Sequence, residues 1–199
     1  SDSRRADSSS YAMIDPNVSA CGNLDVPNTR YTLNTSISAE STCFTIEANN
    51  ITLDCQGNTI NYSDSSEGYA IFARGVNNTK INNCTINQTS PIDFSYGIYL
   101  LNSENATLTN LTISTKSTFG FGLFAESSKN ISLQSSKIIS SGTRAYGVYF
   151  QSTSDSNIKN SQINSTGQYN YGILIEQSSP NIEIIGNNIT TIGSEAFGV

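Results

Sequence analysis

One short phrase recurs along this chain and limits what it can fold into. Tyr69-Ala-Ile-Phe72, Tyr96-Gly-Ile-Tyr99, Phe121-Gly-Leu-Phe124, Tyr146-Gly-Val-Tyr149, Tyr171-Gly-Ile-Leu174 and Phe197-Gly-Val199 follow one another at intervals of 27, 25, 25, 25 and 26 residues. A unit of this size cannot bury a core alone, so the copies must stack. A period near 25 with one strand-like phrase per copy predicts a solenoid.

A second phrase follows the first in each copy, as Asn-x-x-apolar, a short gap, then apolar. It reads Asn78…Ile81…Ile86, Asn105…Leu108…Ile113, Asn130…Leu133…Ile138 and Asn181…Ile184…Ile189, with Asp155…Ile158…Ile163 substituting Asp and Asn50…Leu53…Ile60 adding two residues. Each unit therefore holds three short strands separated by corners, and forms one turn of a coil. Strands this short are stable only when each pairs with its equivalents one turn above and below. Strict alternation puts Tyr96, Ile98 and Leu100 on one apolar face, with Gly97 and Tyr99 on the other. The corners open with Gly57, Asn83, Asn110, Asn160 and Gly186, residue types that tolerate positive φ, while Ser135 departs from the pattern. No 3.6-residue periodicity persists, which excludes a helical repeat.

Asn49-Asn-Ile-Thr-Leu-Asp-Cys-Gln-Gly-Asn-Thr-Ile60, Ile81-Asn-Asn-Cys-Thr-Ile86 and Tyr96-Gly-Ile-Tyr99 resemble the right-handed parallel β-helix repeats of NosD-like and pectin-lyase-like proteins. The resemblance spans roughly residues 43–199 and implies an all-β, right-handed parallel β-helix of about six coils. Residues 46–199 are expected to form it, behind a flexible segment at 1–16 and an N-terminal cap at 17–45. Four cysteines without a CxxC motif suit disulfides, with buried free thiols as the alternative. A Cys21–Cys43 bridge would staple the cap, and a Cys55–Cys84 bridge would tie the first coil to the second. Phe197-Gly-Val199 begins a further repeat, so more coils or a covering chain are expected past it.

Composition bounds the partners. The net charge is −6 and the ten basic residues are scattered, which argues against a nucleic-acid ligand. No apolar run approaches the length of a membrane span. Charged residues make up 13%, about half the usual ~25%. Polarity comes instead from 52 Ser and Thr and 24 Asn residues.

The resemblance also implies lyases and hydrolases of polysaccharides, which use acidic clusters, Ca²⁺ and a basic residue on the outer face of one sheet. The outward positions expected here are Ala70, Gly97, Gly122, Gly147 and Gly172, then Phe72, Tyr99, Phe124, Tyr149 and Leu174, none of them charged. There is no His, and only four Asp lie beyond residue 50. Glu67 and Asp93, with Arg144 two coils on, make the best catalytic constellation; solvated loop charges are the simpler reading. No catalytic residue, metal site or cofactor is assigned.

Twelve Asn residues stand in Asn-x-Ser/Thr, about twice the number expected by chance from this composition. Asn17, Asn34, Asn50, Asn61, Asn77, Asn87, Asn105, Asn130, Asn164 and Asn188 are candidate N-glycosylation sites, while Asn83 and Asn110 are expected to be barred by burial at corners. The alternative is that β-helix corners favour Asn and Thr. The stripe Phe72, Tyr99, Phe124, Tyr149, Leu174 is a candidate contact surface, or a ladder that only stiffens its sheet. The expected function is a non-enzymatic, glycosylated extracellular or cell-surface protein of a layer, filament or coat. It would contact other copies of itself, surface proteins or glycans. The competing expectation is a carbohydrate-binding or polysaccharide-degrading β-helix.

Overall fold

The structure, a computed structural model, describes residues 15–199; residues 1–14 of the expected flexible segment lie outside them. The chain coils into three parallel sheets of eight, seven and seven strands. The first sheet runs from Asn17–Val18 and Arg30–Leu33 through Thr52–Asp54 and Lys80–Asn82 to Glu183–Ile185. The second runs from Ile37–Ser38 and Thr59–Tyr62 through Thr85–Gln88 to Asn188–Ile192. The third, the aromatic sheet, runs from Gly22–Leu24 and Phe44–Ile46 through Tyr69–Arg74 and Tyr96–Leu101 to Leu123–Glu126, Val148–Gln151 and Ile173–Glu176.

Seven or eight strands per sheet make about seven turns, one more than the repeats announce. The extra turn carries Cys43-Phe-Thr-Ile46 where later turns carry the aromatic phrase, so the period misses it. Strands within residues 17–45, expected as a cap, join all three sheets, and Phe44–Ile46 crosses the expected boundary. Both disulfides are formed. Cys21–Cys43 and Cys55–Cys84 have Cα atoms 4.6 and 4.8 Å apart, the normal spacing of neighbouring strands.

Like residues stack through the core. The second sheet contributes an unbroken column of isoleucines from Ile37 and Ile60 through Ile86, Ile113, Ile138 and Ile163 to Ile189. The first contributes Leu53, Ile81, Leu108, Leu133 and Ile158, all fully buried. Each such side chain removed from water is worth about 1.5–3 kcal/mol, and the repetition, more than any one strand, holds the coil together. The many serines have a place as well. Buried Ser136 and Ser161 receive the N–H groups of Leu111 and Ser136 on the preceding turns, which satisfies corner amides without charge.

The aromatic sheet departs from the expected alternation. Gly97 and Ile98 are both buried, and Tyr96 lies outside with Tyr99. The reason is a bulge-like step. The consecutive N–H groups of Gly97 and Ile98 donate to the consecutive carbonyls of Phe121 and Gly122 on the next turn, where a regular parallel strand would use alternate ones. The step repeats at Gly122, Gly147 and Gly172. So the first aromatic of each phrase is not a core residue. The glycine is not an outward position that a charge could occupy.

Candidate contact surface

The outward step places two columns of rings on the outer face of the aromatic sheet. The expected column, Phe72, Tyr99, Phe124, Tyr149 and Leu174, runs in register up the coil. Beside it runs a second, Tyr69, Tyr96, Phe121, Tyr146, Tyr171 and Phe197, which alternation had assigned to the core. Within the columns the rings stack, with Tyr99–Phe124 at 4.9 Å and 2° and Phe124–Tyr149 at 4.8 Å and 7°, except that Tyr146 and Tyr171 meet edge to face at 5.4 Å and 85°. Between columns they meet edge to face, as Tyr96–Tyr99 does at 5.6 Å and 87°. Both are favoured arrangements, worth about 0.5–1.5 kcal/mol per pair beyond burial. The array shields itself, so that Phe121 and Phe124 are only 5% and 7% exposed although they point away from the core.

Carboxylates rim this array. The Tyr99 hydroxyl donates to Glu126, and that of Tyr149 to Glu176 at 2.8 Å, each reaching the next turn. Burial and then the carboxylate hydrogen bond raise both phenols above their ordinary range. Burial also raises Tyr96, with smaller contributions from Tyr69, Glu67 and Glu126. These hydroxyls therefore stay protonated donors well past the pH at which phenols normally ionise.

A third ladder lies on the loops that feed the sheet. Phe94 and Phe119 stack at 5.0 Å and 7°, and the Arg144 guanidinium sits 5.7 Å from the rings of both Phe119 and Tyr169. All four residues hold positive φ, between 51° and 59°. Bulky residues rarely adopt that conformation. The stacking along the axis offsets its cost. Sequence reasoning missed this ladder, although one signal was there: each member stands two residues before the aromatic phrase. Arg144 is thus sandwiched between rings. Asp93 accepts the Thr118 N–H at 3.0 Å and so braces the next loop, and Glu67 is exposed. Among the described residues no group of three or more His, Cys, Asp or Glu could hold a metal ion.

The sequons are distributed unevenly over the coil. Asn17 is in the first sheet, and Asn61, Asn87, Asn164 and Asn188 are in the second. Asn34, Asn83 and Asn110 lie at the corner joining those sheets, and Asn50, Asn77, Asn105 and Asn130 lie just before the first. The aromatic strands and the loops that feed them carry none. Burial does not single out the two corner sites, because Asn110 is exposed and Asn83 half-buried.

The first-to-second corner also holds a buried, hydrogen-bonded carboxylate. Asp54 is buried and accepts hydrogen bonds from Asn83 Nδ2 at 3.0 Å, the Gln56 N–H at 3.0 Å and Arg30 at 2.8 Å. Burial alone would raise this carboxyl; the three donors outweigh it and hold it below its ordinary value. A depressed folded-state pKa gives stability that is present above the unfolded value, about 3.9, and lost as pH falls through the folded one. Wild-type stability should therefore drop below about pH 4. Asp54→Asn should lose that acid-sensitive part, starting about 1–2 kcal/mol lower at neutral pH because the Arg30 bond goes. Urea midpoints at pH 6 and pH 3 for both proteins test this; parallel drops in the two would reject it.

Comparison with known families agrees with the geometry. No curated protein matches the chain significantly. The family described as right handed beta helix region matches residues 42–199, which covers the repeats, the aromatic face and most of the sequons. The chain belongs to the right-handed β-helix family.

Proposed function

We propose that the chain is a non-enzymatic, exported, N-glycosylated β-helix that serves as a structural or adhesive part of a cell-surface layer, filament or coat. Its contact face is the outer face of the aromatic sheet. The observation that carries this reading is the placement of the sequons: all twelve lie away from the aromatic strands and their feeding loops. Glycans there would solvate a low-charge surface and hinder association through two sides of the coil. They would leave the aromatic side bare for a neighbour. The two disulfides are compatible with an oxidising, extracellular setting.

The ring geometry favours a protein neighbour over a sugar. Pyranose rings pack on the faces of aromatic side chains, and in these ladders the faces are turned to one another along the axis. The surface offers ring edges and hydroxyls instead. Among the described residues Glu67 and Asp93 belong to no group of three or more His, Cys, Asp or Glu that could hold a metal ion.

Sedimentation over a wide concentration range tests the reading on protein secreted from a glycosylating host. Concentration-dependent self-association is expected. Leu174→Lys should abolish it without changing thermal stability, because Leu174 continues the outer column beyond the last stacked ring, Tyr149. A glycan-free protein that stays monomeric at high concentration would sink the proposal. So would polysaccharide turnover that Glu67→Gln and Asp93→Asn abolish.

A further inference from the structure

The twelve sequons divide into two equal sets by what each side-chain nitrogen does. Asn50, Asn61, Asn83, Asn87, Asn110 and Asn130 donate Nδ2 to a side chain on the preceding turn, at 2.7–3.3 Å. The acceptors are Asn28, Ser38, Asp54, Asn61, Asn83 and Asn105 in that order. Among the described residues Asn17, Asn34, Asn77, Asn105, Asn164 and Asn188 make no such bond through Nδ2; five of the six are exposed outside any strand or at a strand end, and Asn164 is half-buried within Gln162–Thr166.

We infer that the second set are the glycan acceptors and that the first set are structural amides. The inference rests on the proposed reading of the chain as an exported glycoprotein. The transfer needs an Nδ2 free to move. It attacks the anomeric carbon of a lipid-(pyro)phosphate-linked oligosaccharide; the N–C bond forms, the anomeric C–O bond to phosphate breaks, the lipid (pyro)phosphate leaves, and one Nδ2 proton passes to a base. A ladder nitrogen has another side chain in van der Waals contact along the coil axis, where the sugar would have to stand. Stacked amide ladders also tie successive turns together, so placing a glycan on one costs the bond below it.

The Asn105–Asn130 pair makes the sharpest case. Both are exposed and both hold positive φ, at 57° and 54°. They share one hydrogen bond, Asn130 Nδ2 to Asn105 Oδ1 at 2.7 Å. Asn130 is the donor and is committed. Asn105 only accepts, and a glycosylated Asn105 keeps its Oδ1 for that bond. Two sequons of the same local conformation, one turn apart, are thus assigned opposite fates.

Glycopeptide mapping and intact mass of the full chain, secreted from a glycosylating host, test this. Sugar on Asn105 and its set, and none on Asn130 and its set, is the expected result; sugar on only some of the free set with none on the donors also supports it. Asn164→Gln should remove one glycan mass and leave Tm unchanged. Asn130→Gln, or Asn110→Gln at the other corner should Asn130→Gln fail to fold, should leave the mass of the glycans unchanged and lower Tm by about 2–4 °C. Sugar on the ladder donors at the level of the free set overturns the assignment and leaves the glycoprotein reading standing. A chain that carries no sugar anywhere overturns both.

Discussion

Replacing both Cys55 and Cys84 with alanine should lower stability by about 3–4 kcal/mol, the chain-entropy expectation for a closed loop of this length. The bridge spans 29 residues and joins adjacent turns at the corner between the first and second sheets. Both residues are buried, so alanine avoids leaving a hydroxyl without a partner while removing the cross-link. A solenoid is stabilised turn by turn, and its terminal turns have a neighbour on one side only. The loss should therefore be local at first. Hydrogen exchange ought to accelerate in Arg30–Leu33, Thr52–Asp54 and Thr59–Tyr62 before it does in the later turns. The urea midpoint of the double variant should fall, and that of the reduced wild type, which loses the Cys21–Cys43 bridge as well, should fall at least as far. An unchanged midpoint on reduction, or exchange that rises evenly over all turns, would reject the account.

The coil itself was legible because its evidence is repeated. Ile60, Ile86, Ile113 and Ile163 could be aligned by eye, and each alignment predicts a contact that the register then shows. The Cys55–Cys84 bridge was legible for the same reason: a separation of about one period brings two residues side by side. What stayed hidden has physical causes. Alternation counts residues and cannot see a backbone step that spends two N–H groups in succession, so Tyr96 and Gly97 were each placed on the wrong side. The Phe94–Phe119–Arg144–Tyr169 ladder changes chemical type along its length, and positive φ is not expected of bulky side chains. A sequon says nothing of which way its amide points. The division between Asn105 and Asn130 exists only once adjacent turns are in register.

The hidden step also yields the second large effect, at the glycine of the repeated phrase. A Cβ on Gly147 would stand 2.3 Å from Ile163 Cγ2 and 2.6 Å from the carbonyl oxygen of Gly172. Side chains give way more readily than backbone, so the second contact decides the cost. The Gly172 carbonyl accepts the Val148 N–H at 3.0 Å and cannot retreat without stretching that bond. Gly147→Val should therefore cost about 3 kcal/mol, the upper end of what overpacking a core usually costs. Gly147→Ala should cost less but still clearly destabilise. Combining Gly147→Ala with Ile163→Ala, which removes the Cγ2 atom, separates the two contacts in a double-mutant cycle. Relief of the Ile163 contact should recover only part of the loss, because the carbonyl contact remains. The same experiment distinguishes the two placements of this glycine. An outward Gly147 would accept alanine or valine at almost no cost, as exposed strand positions do. An inward one, packed under the isoleucine column of the second sheet, will not. Chemical denaturation of the single variants decides between them, and a midpoint for Gly147→Val equal to that of the wild type would return the glycine to the surface.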